Sequence, residues 1–144
     1  MTAPTIRAFH ARLLQEHAEI DDAIDQLLRA YESGDHEVAR TAFREFDKRL
    51  MAHLAMEDDL ILPAFANVDP AEAEQISSEH RAIRAKVDEL VIGSDLRLTR
   101  LPAVRLLAAA LRAHAKREDE ILYQWIDRSY GDAQIPAADV GAHA

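Results

Sequence analysis

A histidine followed four residues later by a glutamate occurs twice in this chain, first as His53-Leu-Ala-Met-Glu57 and again as His114-Ala-Lys-Arg-Glu118. Residues four apart lie on the same face of an α-helix, one turn from each other. Each pair therefore offers an imidazole nitrogen and a carboxylate that can bridge two metal ions, both carried by a rigid element. The repeat predicts helices that direct metal-ligating groups toward a shared interior.

Apolar residues recur at intervals of three and four along four segments, which indicates four amphipathic helices. We expect them at about residues 5–33, 35–66, 69–92 and 102–131. Pro63 lies inside the second segment and favours a kink or an early end near Leu62. The residues expected to start or end the helices are Thr5, Gly34, Asp35, Asp69, Pro70, Gly93, Pro102 and Gly131.

The inward face of each helix follows from the same spacing. The predicted inward residues are Phe9, Leu13, His17, Ile20, Ile24, Leu27 and Tyr31 in the first helix, Val38, Ala42, Phe46, Leu50, His53, Glu57 and Leu60 or Ile61 in the second, Ile76, His80, Ile83, Val87 and Leu90 in the third, and Leu107, Leu111, His114, Glu118, Ile121 and Trp125 in the fourth.

The alternation typical of β-strands is absent from the sequence. Four helices joined by short links predict an all-α fold, an antiparallel up-down-up-down four-helix bundle. We expect this bundle to occupy residues 1–131. Residues 132–144 are small and polar, and we expect them to form a flexible C-terminal tail.

Composition excludes several classes of function. The 144 residues include no cysteine, which rules out disulfides, iron–sulfur ligation, thiol catalysis and thiolate metal sites. A net charge of −9 without a basic stripe argues against nucleic-acid binding. The sequence shows neither a signal-peptide pattern nor an apolar run long enough for a membrane span, so we expect a cytoplasmic protein.

A single histidine in an apolar stripe is usually a core residue bonded to a carbonyl, but here every helix carries one. Counting outward from each connecting loop places all these histidines, and both glutamates, at one level of the bundle. Burying such groups without a charge partner would cost several kcal/mol each, which a bound metal would offset. The predicted metal ligands are His17, His53, Glu57, His80, His114 and Glu118.

Other polar residues near this level have simpler interpretations. His10 is expected to be a core or pocket-lining residue rather than a ligand, and Tyr123 a core or rim aromatic residue. Asp21, one turn after His17, is the best further candidate, either as a ligand or as a hydrogen-bond acceptor. The residues expected to be surface charges are Glu16, Asp58, Asp59, Glu79, Asp119 and Glu120. For Glu16 and Glu79, each just before a predicted ligand histidine, the alternative is a supporting hydrogen bond to the metal site.

Over roughly residues 10–128 the chain resembles the hemerythrin-like (HHE cation-binding) family of non-haem di-iron four-helix bundles. The matching segments are EHAEID, HLAMEDDLILP, EHRAI and HAKREDEILY. The resemblance implies that the four histidines are terminal iron ligands. It also implies that Glu57 and Glu118 bridge two iron ions beside an oxo or hydroxo group.

The chain departs from the oxygen-carrying hemerythrins at two positions. Arg84 stands where those proteins have a fifth histidine, and a guanidinium cannot bind a cation. They also use an aspartate five residues after the last histidine, whereas this chain has both Glu118 and Asp119; we favour Glu118 because it repeats the spacing of Glu57. Four histidines and two carboxylates resemble the subgroup that contains the repair-of-iron-centres proteins and the eukaryotic F-box iron sensor.

That ligand count implies one open position on each iron, available to oxygen, nitric oxide or peroxide. The leading hypothesis is a di-iron protein that binds or reacts with one of these molecules in sensing, detoxification or oxygen handling. The alternatives are an iron donor similar to the repair-of-iron-centres proteins, a peroxidase- or catalase-like enzyme, and a bundle whose site is structural or takes another metal. The sequence decides neither among these, nor whether the protein is an enzyme, nor its oligomeric state.

Overall fold

The computed structural model describes residues 6–130, which form four long helical segments. No strand occurs in this range. The second and fourth segments are each interrupted by one π-helical turn. In chain order the elements are α1 (Ile6–Glu32), α2 (His36–Met56), a first π turn (Glu57–Ile61), α3 (Leu62–Ala66), α4 (Pro70–Asp95), α5 (Leu101–Glu118), a second π turn (Asp119–Tyr123) and α6 (Gln124–Tyr130).

The segments pack as a ring in which neighbours along the chain are neighbours in space. Helix α1 contacts α2 on one side and α5 and α6 on the other, while α4 contacts α2, α3 and α5. Short connections between long helices make consecutive segments antiparallel. The predicted all-α, up-down-up-down four-helix bundle is therefore confirmed.

The residues predicted to end the first helix and to cap the second and third are confirmed. Gly34 adopts a left-handed φ of 75°, which ends the first helix. Asp35 accepts a hydrogen bond from the backbone N–H of Val38 at 3.2 Å, and Asp69 accepts one from the N–H of Glu72 at 3.1 Å. These caps satisfy N–H groups that the first turn of a helix leaves without partners.

Gly93 does not end the third helix, contrary to the prediction, because α4 continues to Asp95. The left-handed residue is Arg97, with a φ of 60°. Gly93 is instead a point of close approach, since a Cβ atom there would lie 2.4 Å from Thr99 Oγ1. The Thr99 hydroxyl donates to the carbonyl of Leu90 at 2.8 Å, so the returning chain folds tightly against the helix end.

Pro63 neither ends the second segment nor breaks it at Leu62, as the chain remains helical from His36 to Ala66. The deviation is the first π turn, which directly precedes α3, and Pro63 lies in the first turn of that helix. The N–H of Leu62 already reaches back five residues, to the carbonyl of Glu57, so Pro63 follows a point where the α-helical hydrogen-bond pattern has changed. The second π turn contains no proline, so proline is not the shared cause. The first π turn begins at the glutamate of a His-x-x-x-Glu pair, and the second begins one residue after the other glutamate.

The predicted inward stripes are largely confirmed, with corrections in the second and fourth segments. Val38 is 50% exposed, and Ala39 and Phe43 are buried in its place. The buried residue of the Leu60/Ile61 pair is Ile61. In the fourth segment Leu122 is buried where the sequence indicated Ile121. The side chain of Phe9, together with Thr5, Gly131 and residues 132–144, lies outside the described part of the chain.

The core consists of two apolar clusters at different heights along the bundle. One contains Ile24, Phe46 and Val87, and the other contains Leu13, Ile76 and Ile126. Every helical segment contributes to both clusters, and the predicted ligand residues lie near the boundary between the two contributions. The polar level is therefore enclosed by apolar layers above and below, which fixes its side chains and excludes bulk water. Over residues 6–130, the helices lack the length and apolar character needed to cross a bilayer.

Candidate metal centre

The six predicted ligands meet in the interior between the two apolar clusters. Five of them are at least 92% buried, and the side chain of His17 is 10% exposed. His17 comes from α1, His53 from α2 and His80 from α4, while His114 comes from α5. The imidazole rings of His17 and His53 lie 4.9 Å apart, as do those of His80 and His114.

Glu57 extends across the whole cluster, with one carboxylate oxygen toward each half. Its Oε2 lies 3.5 Å from Nε2 of His53 and 3.9 Å from Nε2 of His17. Its Oε1 lies 3.4 Å from Nε2 of His80. This separation of the two oxygens is the arrangement that a carboxylate needs in order to bridge two cations.

Glu118 makes the complementary set of contacts. Its Oε1 lies 3.2 Å from Nε2 of His17, and its Oε2 lies 2.9 Å from Nε2 of His80 and 3.1 Å from Nε2 of His114. Asp119, the competing candidate, is directed to the outer side of His17 and lies outside the inner cluster. The choice of Glu118 as the central carboxylate agrees with this geometry.

Two groups of potential ligands result, and they share both glutamates. One group is His17, His53, Glu57 and Glu118, and the other is Glu57, His80, His114 and Glu118. Within each group the donor atoms lie within 4.8 Å of one another. Four donors at that spacing can surround one cation, so the arrangement can hold a pair of cations linked through Glu57 and Glu118.

The outer nitrogen of each histidine contacts a carboxylate from a neighbouring helix. The four Nδ1-to-oxygen distances run from 2.7 to 3.4 Å. A carboxylate can only accept, so each Nδ1 donates, which fixes the ring and directs Nε2 to the interior. The pairs are His17 with Asp119, His53 with Glu16, His80 with Asp58 and His114 with Glu79.

These four acceptors correct the expectation that they are surface charges. Asp58 and Asp119 each follow a central glutamate by one residue, and Glu16 and Glu79 each precede a histidine by one. The regularity is visible in the sequence as the paired patterns Glu-Asp and Glu-His. Its meaning was missed because each carboxylate serves a histidine on another helix, which spacing along one helix does not reveal.

Asp21 and His10, the two further candidates, lie outside both groups. Asp21 is an exposed residue that accepts a hydrogen bond from Arg112 at 2.7 Å, so its expected role as ligand or acceptor for a histidine is wrong. His10 is partly buried and places its ring edge-on to Tyr123, with ring centroids 6.1 Å apart. It belongs to the packing around the cluster.

By the sequence resemblance, Arg84 stands where oxygen-carrying hemerythrins have a fifth histidine. Its guanidinium donates to Oδ2 of Asp58 at 2.5 Å, while Oδ1 of the same carboxylate accepts from His80 at 2.7 Å. Arg84 thus supports a ligand histidine through Asp58. Arg117 has a comparable position beside Glu79, at 3.1 Å, and also contacts Glu72.

Tyr123 is the site residue that sequence reasoning missed. It is 1% exposed, and its phenol donates to Oε2 of Glu57 at 2.5 Å. The phenol oxygen also lies 2.8 Å from Nε2 of His17 and 3.5 Å from Nε2 of His53. Five residues after Glu118, an uninterrupted α-helix would turn this side chain away from the cluster. The π turn needs one more residue per turn, so it returns position five to the inward face.

When no cation is bound, protons on the histidines balance the negative charge of the buried carboxylates. Burial opposes ionisation of Glu118, but hydrogen bonds from His114, His17 and His80 hold its pKa well below the ordinary range. Burial likewise opposes protonation of His80, yet its hydrogen bonds to Asp58, Glu118 and Glu57 raise its pKa to about 11. The same balance raises the pKa of His53 and His114.

The residues fit a pair of cations by two independent criteria. Among the described side chains, four buried polar atoms lack a hydrogen bond of good geometry, and two of them, Oε1 of Glu57 and Nε2 of His114, belong to the inner cluster, where each faces a charged partner at 3.4 and 3.1 Å. The other two are Oδ1 of Asp47 and Nε of Arg117. The cluster and its outer acceptors also contain six carboxylates around four imidazoles. Two divalent cations, together with the guanidinium groups of Arg84 and Arg117, would balance that charge.

A small cavity borders the cluster on the side of α1 and α5. It has a volume of about 40 Å³ and is lined by His17, His53, His114 and Glu118. Most of its remaining wall is apolar, and the exposed Asp21–Arg112 ion pair lies at its outer edge. The cavity can accept a molecule of a few heavy atoms in contact with the side chains of the cluster. Its apolar wall residues are Ile20, Ile24, Leu50, Leu54, Ile83, Leu111 and Ala115.

Comparison with known proteins identifies one family. The model of the hemerythrin HHE cation binding domain matches residues 8–126, which covers most of the chain and all six central residues. Neither the curated proteins nor the solved structures provide a match.

Proposed function

Because this chain belongs to the hemerythrin HHE cation-binding domain family, we propose that it carries two iron ions and binds or reacts with a small molecule such as oxygen, nitric oxide or peroxide. One iron would be held by the group that contains His17 and His53, and the other by the group that contains His80 and His114. Glu57 and Glu118 would serve both. Bound iron would supply the ligand-binding and electron-transfer chemistry, which no side chain of the cluster can supply alone.

The donor set supports iron by its chemistry. Mixed imidazole and carboxylate ligands in a helical bundle suit dinuclear iron or manganese sites, and the chain has no thiolate that would favour zinc or copper(I). The outer carboxylates hold the four histidines in a single tautomer and orientation. Such support raises the basicity of each imidazole and tightens the hold on a cation.

The cavity beside the cluster is the observation that carries the proposal of a small ligand. Pockets for larger ligands commonly measure about 300–1,000 Å³, whereas this one measures about 40 Å³. An apolar wall favours a neutral diatomic molecule over bulk water, and contact with His17, His53 and His114 would place that molecule beside the iron. The site is therefore suited to a gas or to peroxide rather than to an extended substrate.

Metal content tests the first half of this proposal. Protein purified without chelator should contain about two iron ions per chain, and both Glu57→Ala and Glu118→Ala should lose most of them because each removes a shared ligand. Glu89→Ala is the matched control, since Glu89 is a well exposed α4 residue paired only with Lys86 at 3.1 Å. Zinc, a single ion, or no metal after iron reconstitution would contradict the proposal.

A cavity-filling variant tests the second half. Ile20 is 8% exposed, lines the cavity and lies one turn from His17, so Ile20→Phe should fill the space without removing a ligand. We expect unchanged iron content and at least a tenfold loss of nitric oxide affinity, equivalent to about 1.4 kcal/mol. Leu27→Phe is the control, because Leu27 is equally buried but does not line the cavity. Unchanged affinity in Ile20→Phe would mean that small ligands do not use this cavity.

The same preparations separate the alternatives. Reversible oxygen carriage predicts an optical change that reverses when oxygen is removed, and peroxide turnover predicts catalytic consumption of peroxide. Iron donation predicts transfer of the metal to a metal-free acceptor. Because all three require iron in the cluster, they are compared only after the metal content is known.

A further inference from the structure

The phenol of Tyr123 lies inside one half of the metal centre and not in the other. Its oxygen approaches Glu57 Oε2, His17 Nε2 and His53 Nε2 at 2.5, 2.8 and 3.5 Å. These are three of the four donors in the group that contains His17. Among the described residues, the hydrogen bonds of the phenol reach the group that contains His80 and His114 only through Glu57.

Hydrogen bonding alone does not account for this position. Asp119 and Glu16 accept hydrogen bonds from the Nδ1 atoms of His17 and His53, so in the neutral form of each ring, which is the form that binds a cation, Nε2 faces the phenol as an acceptor. Tyr123 has one proton, which it donates to Glu57. Several lone-pair donors therefore surround the phenol oxygen. A bound cation requires such a group of donor atoms that point to one place.

The distances fit an additional metal ligand. Nitrogen and oxygen donors about 2.1 Å from a metal and at right angles to each other lie roughly 3 Å apart. The three contacts of the phenol oxygen, at 2.5, 2.8 and 3.5 Å, scatter around that value. A cation coordinated by His17, His53 and Glu57 would thus have the Tyr123 oxygen within reach at an adjacent coordination position.

The internal repeat offers no equivalent donor to the other half. Tyr123 follows Glu118 by five residues at the end of the second π turn, and Leu62 follows Glu57 by five just after the first. Both side chains are buried, but Leu62 is a hydrocarbon. The two halves, which match in their histidines, glutamates and outer carboxylates, therefore differ in this one ligand.

We propose that Tyr123 is a metal ligand, which coordinates the cation of the His17 group through its phenolate oxygen. The oxygen–metal bond forms as the phenol O–H bond breaks, and the proton is released to solvent. The two metal ions are then inequivalent, because only the ion of the His17 group has a phenolate ligand. This inference rests on the proposed function, because it requires that the cluster binds metal.

Ferric iron provides the direct test. Coordination of a phenolate to ferric iron produces a visible charge-transfer band and resonance-enhanced vibrations of the phenolate ring. The wild-type protein loaded with ferric iron should show both, and Tyr123→Phe should lose both. Tyr31→Phe is the matched control, because the Tyr31 phenol is partly buried and donates to Ser94 at 2.7 Å, far from the cluster. It should keep the band, and circular dichroism checks that both variants remain folded.

A proton count provides a second readout that does not depend on iron spectroscopy. In a weakly buffered titration with zinc, the wild-type protein and Tyr31→Phe should release one more proton per chain than Tyr123→Phe. Equal proton release, or a phenolate band that survives in Tyr123→Phe, would overturn the inference while leaving the metal centre in place. If the wild-type protein binds no metal, the proposed function and this inference fail together, and the metal content distinguishes that case.

Discussion

At the scale of single residues, the centre depends on groups that never touch the metal. Each of the four histidines is held by a carboxylate on a neighbouring helix, and two of these carboxylates are in turn held by Arg84 and Arg117. The pKa of Glu79 is lowered: burial opposes this, but the hydrogen bonds from His114 and Gln75 outweigh it, so Glu79 remains an ionised acceptor. The orientation of the inner nitrogens therefore depends on an outer layer of charged hydrogen bonds.

Removing one of these outer carboxylates should weaken metal binding without abolishing it. Glu79→Ala releases Nδ1 of His114, and we expect metal affinity to fall about 10–100-fold, the usual effect of losing such support. Glu79→Gln keeps an acceptor oxygen and should show a smaller loss. Competition with a chelator of known affinity measures both, with Glu89→Ala as the control on the same helix. Equal affinity in Glu79→Ala and Glu89→Ala would contradict a supporting role for Glu79.

At the scale of secondary-structure elements, the π turns determine which side chains face the centre, and the helix ends determine where the chain returns. The first π turn starts at a shared glutamate and the second one residue after the other, and the second brings Tyr123 onto the inward face. Because neither turn contains a proline and only the first is followed by one, the turns belong to the repeated sequence around the glutamates rather than to proline. That conclusion and the close contact at Gly93 can each be tested.

Pro63→Ala should leave the first π turn and the metal content intact. Pro63 follows the π turn, whose hydrogen bond from the Leu62 N–H to the Glu57 carbonyl does not use the proline nitrogen, so we expect the free energy of unfolding to change by less than about 1 kcal/mol. Urea unfolding and metal analysis measure the two quantities. A loss of metal together with a large change in stability would show that the proline maintains the turn.

Gly93→Ala should destabilise the protein because its Cβ would collide with the Thr99 hydroxyl. We expect a loss of about 1–3 kcal/mol, typical of overpacking. Thr99→Ala alone loses its hydrogen bond to the carbonyl of Leu90, about 0.5–1.5 kcal/mol. In the double variant the collision is absent, and alanine favours the helix over glycine, so its loss should be smaller than the sum of the single losses. Additive losses would mean that Gly93 and Thr99 do not interact.

At the scale of the whole molecule, protons and metal ions compete for one buried cluster. Without metal, the raised pKa of His80, about 11 against an ordinary 6.5, stabilises the fold below pH 6.5, and that stabilisation is lost as the pH rises toward 11. The lowered pKa of Glu118 stabilises the fold above its ordinary 4.5 and loses that effect as the pH falls through its folded value. The metal-free protein should be most stable between these two ordinary values.

The metal-loaded protein should show the opposite trend between about pH 5.5 and 8. Its histidines bind metal rather than protons, whereas the unfolded chain still takes up protons below about pH 6.5, so stability should rise with pH. Urea unfolding at constant ionic strength, with and without chelator, measures both curves. Metal-free protein that gains stability above pH 6.5 would show that the buried histidines are not protonated.

The sequence by itself determined the bundle and its six central residues. Helical periodicity and the four-residue spacing of His53 with Glu57 and of His114 with Glu118 are local properties, and one imidazole in each stripe fixed the level at which they meet. Caps at Asp35 and Asp69 were equally local. Their geometry depends only on the residues of the same turn, so no tertiary information was needed.

Only the tertiary structure decided which residues surround and complete that centre. Glu16 and Asp58 contact histidines on other helices, so their roles depend on how the helices are rotated against one another. Tyr123 reaches the cluster because a π turn shifts the phase of the fourth segment, a shift that regular α-helical spacing cannot anticipate. The role of Gly93 also depends on a tertiary contact. The returning chain at Thr99 leaves no room for a Cβ atom there, whereas the backbone angles of Gly93 do not require glycine.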